Sequence, residues 1–393
     1  MLSIIFTNLT QKLAHKTEIL YNIRGMFRKE LQNMPVYTPG KPIEEVMTEY
    51  NLCREDVIKL GSNENPLGAS AHALAAIKDN LENIRLYPES DSIELREVLA
   101  HHLRIKANEL IIGRGSDEVI QMLSKALLNE NDEIVVADPT FSVYEIAATI
   151  MGATCVKVPL KEDFTHNLQA MADKISERTK IIYLTNPHNP TGSLNSSAEI
   201  KEFVASVPEN VIIALDEAYA EYVERSDYIS ALGFFDLGYK NVFGLRTFSK
   251  IYGIAGLRVG YGFSNNPELM AALYKVKEPF NVSNLGQIAA AASILDTEHV
   301  KRSQLVNNEG KAYLMGEIAK IGLTPYKSEA NFILVNTFRD IKTLTKALLK
   351  RGIIVRDCTS FGLNSCFRVT IGTYTQNAKV IATLTDAIAH GEW

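Results

Sequence analysis

Residues 246–258 read RTFSKIYGIAGLR, and the apolar run NVFGL at 241–245 leads directly into them. The run predicts a buried strand that ends where polar side chains begin. Lys250 follows a serine, and Arg258 lies eight positions further on. A lysine becomes a nucleophile only after losing its proton, and a neighbouring cation or apolar surroundings lower its pKa. Taken alone, the stretch also fits an ordinary surface lysine in a basic loop.

A reactive lysine beside an arginine and hydroxyl groups is the arrangement expected where pyridoxal phosphate (PLP) forms a Schiff base with a protein. The lysine would hold the cofactor's aldehyde carbon. Ser249 and Arg258 would hold its phosphate, because the arginine side chain can donate two parallel hydrogen bonds to phosphate oxygens. Other parts of the chain strengthen this interpretation.

Five short apolar runs end at polar or aromatic groups, and helical patterns separate most of them. This alternation predicts an α/β fold with a mainly parallel sheet. Ligands of open α/β sheets bind beyond the carboxyl ends of the strands, so we expect these groups to meet at one edge of the sheet. The residues that mark the five groups are Gly115, Phe141, Asn189, Asp216 and Lys250.

Two of these groups suggest how a planar ring would be held. Asp216 follows the apolar run VIIAL at 211–215, and a buried carboxylate is costly without a partner. A protonated ring nitrogen is such a partner. Tyr219 would reach a ring hydroxyl, and Phe141 would stack on the ring. A helix cap for Asp216 and a core position for Phe141 are the alternatives.

Glycines at 113 and 115 mark a turn from a strand into a helix. Free backbone N–H groups at such a turn bind phosphate. The spacing Gly-x-Gly-x-Asp differs from the dinucleotide fingerprint Gly-x-Gly-x-x-Gly. A dinucleotide-dependent oxidoreductase is therefore disfavoured.

The composition excludes several other classes of protein. The chain has 393 residues, of which 46% are hydrophobic and 22% charged, and its net charge is −5. These values are typical of a globular protein with a large core. We find no basic block suited to nucleic acid and no apolar run long enough to cross a membrane. Four cysteines without Cys-x-x-Cys spacing indicate a cytoplasmic protein with reduced thiols and no metal site.

Four parts are expected along the chain. Residues 1–34 form an extension, and 35–70 form an arm that begins with the proline-rich PVYTPGKP and joins the small domain. Residues 71–294 form the large PLP-binding domain, and 295–393 a smaller α+β domain. Within the large domain, Asp91 and the glutamate three residues later predict a capping box at the start of a helix.

The motifs GSD (115–117), NPHNPTG (186–192), DEAY (216–219) and SK (249–250) with Arg258 resemble, in order and spacing, those of fold-type I PLP-dependent aminotransferases. Further motifs are similar to the histidinol-phosphate aminotransferase branch, and the resemblance covers roughly residues 35–375. These motifs are YTPGKP (37–42), SNENPLG (62–68), YP (87–88), RTFSK (246–250), PFNV (279–282), SEANF (328–332) and FRVTIG (367–372).

This resemblance implies a large domain with a mainly parallel seven-stranded sheet of the aspartate-aminotransferase type and a smaller α+β domain. It also implies a homodimer with active sites at the subunit interface. Lys250 would carry PLP as an imine and move the α-proton of the substrate. The cofactor-binding set it implies is Gly115, Ser116, Asp117, Phe141, Asn189, Asp216, Tyr219, Ser249, Lys250, Arg258 and Tyr87 of the partner subunit. The substrate-binding set it implies is Tyr37, Asn65, Arg356 and Arg368.

The implied reaction transfers the amino group of L-histidinol phosphate to 2-oxoglutarate in histidine biosynthesis. The products are imidazole-acetol phosphate and L-glutamate. Phe141 stands where many members of the branch carry tyrosine, and His188 where asparagine is common. An aromatic amino-acid aminotransferase and a related PLP-dependent decarboxylase stay open, because the same cofactor residues serve all three. A non-catalytic PLP-binding regulator is disfavoured, because the chain lacks a basic region that would bind DNA.

Overall fold

The computed structural model describes residues 28–32, 34, 36 and 40–393. The chain divides into two compact parts, Met1–Val36 and Tyr37–Trp393. In the first part, the described secondary structure is a 3-10 turn at Lys29–Leu31. Tyr37, which was predicted to bind substrate, and most of the predicted extension lie outside the described residues.

The strands of the described residues all fall in the second part. They are β1 (Ile58–Lys59), β2 (Leu110–Gly113), β3 (Glu133–Asp138), β4 (Thr154–Pro159), β5 (Thr179–Thr185), β6 (Ile212–Asp216), β7 (Val242–Thr247), β8 (Gly260–Phe263), β9 (Thr324–Pro325), β10 (Phe332–Asn336), β11 (Ile353–Ile354), β12 (Arg356–Asp357) and β13 (Cys366–Thr370).

Among the described residues, one α-helix precedes the first strand, and the other α-helices lie between and after the strands. They are α1 (Ile43–Tyr50), α2 (Ala71–Asp79), α3 (Ile93–Leu103), α4 (Gly115–Leu127), α5 (Val143–Ile150), α6 (Leu168–Ala172), α7 (Ser197–Ser206), α8 (Leu232–Phe235), α9 (Pro267–Val276), α10 (Asn284–Leu295), α11 (Thr297–Lys320), α12 (Lys342–Lys350) and α13 (Tyr374–Ala389). None of them is both long and apolar enough to cross a membrane.

Within the described residues, a seven-stranded sheet has the order β2-β8-β7-β6-β5-β3-β4. Strand β8 pairs antiparallel with both of its neighbours, and the other pairs are parallel. Ile213 and Leu215 of β6 enter the core on one face, and Ile212 and Ala214 enter the core on the other. Successive side chains of a strand point to opposite faces, so a strand covered on both sides reads as a continuous apolar run. The predicted α/β fold with a mainly parallel sheet is confirmed.

The C-terminal part has its own sheet and core. Strands β12-β13-β10-β9 form an antiparallel sheet, and β1 pairs in parallel with β11. Leu60, just after β1, packs in one core with Leu314, Phe367 and Val380. Residues 58–60 therefore pack with the C-terminal part, although α2 to α10 lie between them in the chain.

The predicted capping box at Asp91 is wrong. Helix α3 is preceded by Ser92, whose side chain makes no capping hydrogen bond. The Glu89 carboxylate accepts the backbone N–H groups of Asp91 at 2.9 Å and Ile93 at 2.7 Å. An upstream carboxylate thus binds a free N–H group of the first turn, which is what the capping box would have done.

Candidate active site

One cavity lies where the carboxyl ends of the central strands meet. Every residue of the predicted cofactor-binding set lines it except Gly115 and Tyr87. The full lining is Ser116, Asp117, Phe141, Thr185, Asn189, Asp216, Ala218, Tyr219, Thr247, Ser249, Lys250 and Arg258. Groups that are up to 142 positions apart in sequence thus share one space, because parallel strands direct their carboxyl ends to the same edge.

Lys250 lies three residues after β7 and reaches into this cavity. Its Nζ donates a hydrogen bond to the backbone oxygen of Ser62 at 3.3 Å. Burial and the positive charge of Arg368 lower the pKa of Lys250 to about 8. An appreciable fraction of the amine is therefore neutral near physiological pH, which a nucleophile or a general base requires.

Asp216 ends β6 and is 3% exposed. Its carboxylate accepts the hydroxyl of Tyr144 at 2.5 Å and the backbone N–H of Ala218 at 3.1 Å. Burial raises the pKa of Asp216 to about 6, although these two bonds act in the opposite direction. Both donors are neutral, so a cationic partner in the cavity would strongly favour the ionised carboxylate.

The N-terminus of α4 forms one end of the cavity. Arg258 pairs with Asp117 at 2.9 Å between Nη2 and Oδ2, and its Nη1 lies 3.4 Å from Ser249 Oγ. Gly115 has a φ of +72°, and a Cβ atom there would come within 2.6 Å of Arg258 Nη2. Gly115 is needed because its missing side chain leaves room for the guanidinium. Backbone N–H groups of a helix start, hydroxyls and an arginine together form an anion site.

Tyr219 and Asn189 lie on the wall of the cavity. The Tyr219 ring is 2% exposed, and Lys250 Nζ lies 5.7 Å from its centroid. Asn189 accepts a hydrogen bond from Arg368 Nη1 through Oδ1. Its amide nitrogen is then the atom that could donate to a bound group. Phe141 also lines the cavity and meets the Tyr144 ring edge-on at 5.6 Å.

Two of the predicted substrate-binding residues, Arg356 and Arg368, lie outside the cavity lining. Arg368 stands behind Asn189 and also donates to the backbone oxygen of Gly61 at 3.1 Å. Arg356 lies opposite Arg368 in the β12–β13 register and contacts Ser360 at 3.2 Å.

Asn65 does not line the cavity either. Its amide nitrogen donates to the backbone oxygen of Ile251 at 2.7 Å and to Ser303 Oγ at 2.9 Å, and its oxygen accepts the N–H of Leu67. These bonds use both donors of the amide nitrogen. In this structure Asn65 links its loop to the residue after Lys250, and its role in substrate binding stays a prediction.

Tyr87 lies on the surface and does not line the cavity of its own chain. Its side chain is 82% exposed and stacks on Phe280 with 4.8 Å between ring centroids.

Several contributing residues were not found from the sequence. Thr185 and Thr247 line the cavity, while Tyr144 and Asn63 contact residues that do. Tyr144 follows Phe141 by three residues, which is about one helical turn. This spacing was the one sequence feature that could have placed Tyr144 near the site.

The residues of the cavity fit PLP. Asp216 is a buried carboxylate with neutral donors only, which suits a pyridine nitrogen that carries a proton. The helix start with Arg258 suits a phosphate, and Lys250, whose pKa is lowered, lines the same cavity. Asp117 is the acidic residue of the described lining nearest in sequence to the helix start, and its negative charge is paired with Arg258, so it does not repel a phosphate there.

Comparison with known proteins shows the family of the chain. The model of the aminotransferase class I and II family matches residues 55–384. The chain is 47% identical to the histidinol-phosphate aminotransferase of Moorella thermoacetica over 362 residues, which cover 92% of this chain and 93% of that protein. It is 44% identical to the corresponding protein of Brevibacillus brevis, with 92% and 98% covered.

A solved structure shows the same fold. The crystal structure of histidinol-phosphate aminotransferase from Sinorhizobium meliloti in complex with pyridoxal-5'-phosphate has a TM-score of 0.84 and 26% identity, and the match covers 93% of this chain and 98% of that one. The expected family, the expected fold and the expected cofactor are confirmed. With a family match over most of its length and relatives similar over nine-tenths of it, the chain belongs to the histidinol-phosphate aminotransferases, PLP-dependent enzymes of the aminotransferase class I and II family.

Proposed function

We propose that the chain transfers the amino group of L-histidinol phosphate to 2-oxoglutarate, which yields imidazole-acetol phosphate and L-glutamate in histidine biosynthesis. The observation that carries the proposal is that Lys250, Asp216 and Arg258 line one cavity. The relatives named for this reaction align with nine-tenths of the chain, which supports the choice of substrate.

The cavity residues would hold PLP at five places. Lys250 would bind it covalently through Nζ, and Asp216 would pair with the pyridine nitrogen. Ser116, Asp117, Ser249 and Arg258, with the backbone at Gly115, would surround the phosphate. Phe141 would cover a ring face, and Asn189 and Tyr219 would bond the ring oxygen. When bound, PLP supplies an electron sink for the carbon that carries the amino group.

The amino group of the substrate would first take the place of Lys250 on PLP, and the freed Lys250 amine would then move protons. Its lowered pKa of about 8 allows Nζ to take a proton from the substrate carbon as a base and to return one as an acid at neutral pH. Asp216 would stay ionised while it faces a protonated ring nitrogen, because an opposite charge favours its charged form. Burial at the strand end keeps water from competing for this contact.

The substrate would be recognised through its charged groups. Arg368 would bind the carboxylate of glutamate. Together with Arg356 and Tyr37, it would bind the phosphate of histidinol phosphate. An arginine suits both, because its planar group donates two parallel bonds to either anion. The contact between Arg368 and Asn189 supports a position for Arg368 next to the bound cofactor.

We further propose a homodimer in the cytoplasm, with Tyr87 of the partner subunit at the phosphate. Several exposed apolar side chains lie near Tyr87 in the sequence, and Phe280 contacts it. Exposed apolar patches mark interaction surfaces. The side chains near Tyr87 in the sequence are Leu81, Ile84, Leu86 and Ile93. The four cysteines are free, as expected in a reducing compartment. The division into an arm, a large domain and a small domain also remains our proposal, supported by the separate cores.

A comparison of amino donors tests the substrate. Purified PLP-loaded protein would receive 2-oxoglutarate with histidinol phosphate, phenylalanine or tyrosine, and glutamate formation would be followed. We expect kcat/KM to be at least about 100-fold higher for histidinol phosphate, because a phosphate carries more negative charge than the carboxylate of phenylalanine or tyrosine and binds arginine more strongly. Equal or higher values for phenylalanine or tyrosine would identify an aromatic aminotransferase, and release of CO2 would identify a decarboxylase.

A further inference from the structure

Asn63 lies in the loop after β1 and connects distant parts of the chain. It is 1% exposed, and its φ of 58° lies in the left-handed region, which asparagine adopts more readily than most residues. Its backbone N–H donates to Thr370 Oγ1 at 2.9 Å, and its backbone oxygen accepts Asn331 Nδ2 at 3.0 Å. Its side-chain Nδ2 donates to the Tyr219 hydroxyl at 2.9 Å.

The bonds at Thr370 support one orientation of the Asn63 amide. Thr370 Oγ1 accepts the backbone N–H of Asn63, and the hydrogen of the same hydroxyl is donated to Asn63 Oδ1 at 3.3 Å. The oxygen and nitrogen of an asparagine amide are distinguished by such networks. Here the oxygen faces Thr370, so the nitrogen faces Tyr219.

This orientation of the amide makes the Tyr219 hydroxyl oxygen an acceptor and leaves its hydrogen for another partner. A tyrosine hydroxyl has one hydrogen to donate. Since its oxygen accepts the Asn63 amide, that hydrogen remains for a different acceptor. The ring itself is held in place by burial and by edge-on contact with Phe332 at 5.2 Å. Tyr219 lines the cavity, where the acceptor would be the ring oxygen of the cofactor.

We propose that Asn63 is a positioning residue that makes the Tyr219 hydroxyl a hydrogen-bond donor to the ring oxygen of PLP. This inference rests on the proposed function. A bond donated to that oxygen stabilises its anionic form and makes the proton that it shares with Lys250 Nζ easier to lose. Asn63 thus acts on Lys250 through Tyr219 and does not touch the cofactor.

The test is a pH titration of the visible absorbance of the PLP-loaded protein. The variant Asn63→Gly removes the amide but keeps the left-handed backbone. We expect the pKa of the visible absorbance to rise by about 0.5–1 unit, the equivalent of one neutral hydrogen bond. Thr370→Val, which frees the amide to rotate, gives a second variant with a smaller rise in the same direction.

The decisive measurement repeats both substitutions in a Tyr219→Phe background. If Asn63 acts through the tyrosine hydroxyl, neither substitution shifts the titration further once that hydroxyl is gone. An equal shift in both backgrounds would assign Asn63 a general structural role, and no shift in either would also overturn the proposal. If the wild type takes up no PLP that absorbs in the visible, the proposed function fails instead, which separates the two conclusions.

Discussion

At the scale of single residues, the site depends on groups whose ionisation the protein changes. Burial and the charge of Arg368 favour the neutral form of the Lys250 amine. Burial also favours the neutral form of Asp216, until a cation faces it. The two shifts prepare an amine that can react and a carboxylate that gains a partner when PLP binds.

Replacement of Lys250 tests the chemistry directly. We expect Lys250→Ala to bind PLP non-covalently, because Asp216 and Arg258 remain, and to lose turnover by at least about 1,000-fold, since it lacks the general acid and base. Steady-state glutamate formation and borohydride labelling followed by peptide mapping check this. Lys301→Ala, at an exposed lysine, is the control and keeps full activity. A Lys250→Ala variant with normal turnover would refute the assignment.

Asp216 predicts a pH-dependent change in stability. Burial raises its pKa from 3.8 to about 6, so the ionised carboxylate begins to cost stability above about pH 4, and the cost is complete above about pH 6. We therefore expect Asp216→Asn to stabilise the cofactor-free protein by about 1–3 kcal/mol at pH 7.5 and by little near pH 4. Thermal unfolding at the two pH values measures this difference.

A strand-end aspartate outside the core provides the control for that experiment. Asp138 ends β3 but is exposed, and Asp138→Asn is expected to change stability by less than about 0.5 kcal/mol at either pH. A loss of stability in Asp216→Asn at pH 7.5 would contradict the argument. The same variant is expected to bind PLP more weakly, because a neutral amide cannot pair with a protonated ring nitrogen.

At the scale of elements, two glycines allow close packing at the start of α4. Besides Gly115, which makes room for Arg258, a Cβ atom at Gly260 of β8 would come within 2.3 Å of the backbone nitrogen of Ser116. Strand β8 therefore packs directly against the first turn of the helix. The anion site depends on this tight packing of a strand, a helix start and an arginine.

Gly115→Ala tests the element. Alanine at a φ of +72° is strained and its Cβ meets the Arg258 guanidinium, so we expect the dissociation constant of PLP to rise at least about tenfold. The affinity for pyridoxal, which lacks the phosphate, should change little. Equilibrium binding of both compounds separates the phosphate site from the ring site.

Gly316→Ala is the matched control. Gly316 lies inside α11, and a Cβ atom there would meet no atom within 4 Å. This variant should keep PLP affinity and gain about 0.5–1 kcal/mol of stability, because alanine favours helix. If Gly115→Ala bound PLP as tightly as the wild type, the phosphate would not bind at this helix end.

At the scale of the whole molecule, the proposed dimer makes a prediction about shared sites. Lys250→Ala would be inactive in its own chain, and Tyr87→Ala would weaken the site of its partner. When the two variants are mixed and allowed to exchange subunits, heterodimers contain one site with both native residues. We expect activity to rise to about a quarter of the wild-type value, since half of the dimers are mixed and half of their sites are intact.

The rise should depend on subunit exchange. Sedimentation of the wild type is expected to show a dimer, and the mixture should gain activity over the time in which subunits exchange. A monomeric enzyme with full activity, or a mixture whose activity equals the sum of its parts, would contradict the shared site.

Much of this molecule was predictable from local sequence patterns. An apolar run that ends in a polar group, repeated five times, predicts parallel strands and the edge where their ligand binds. The residues after those runs, Phe141, Asn189, Asp216 and Lys250, do line the cavity, because the position of a side chain at a strand end follows from the strand alone.

The tertiary structure decided which partners these residues have. The hydrogen bond from Asn63 to Tyr219 spans 156 positions, and those from Asn65 to Ile251 and Ser303 span 186 and 238. An asparagine in a polar loop has no periodic pattern that reveals its partner, so the sequence indicated none of these hydrogen bonds of Asn63 and Asn65. Local runs of sequence determine where strands begin and end, whereas the direction of a hydrogen bond between distant segments is determined only when the packed core brings them together.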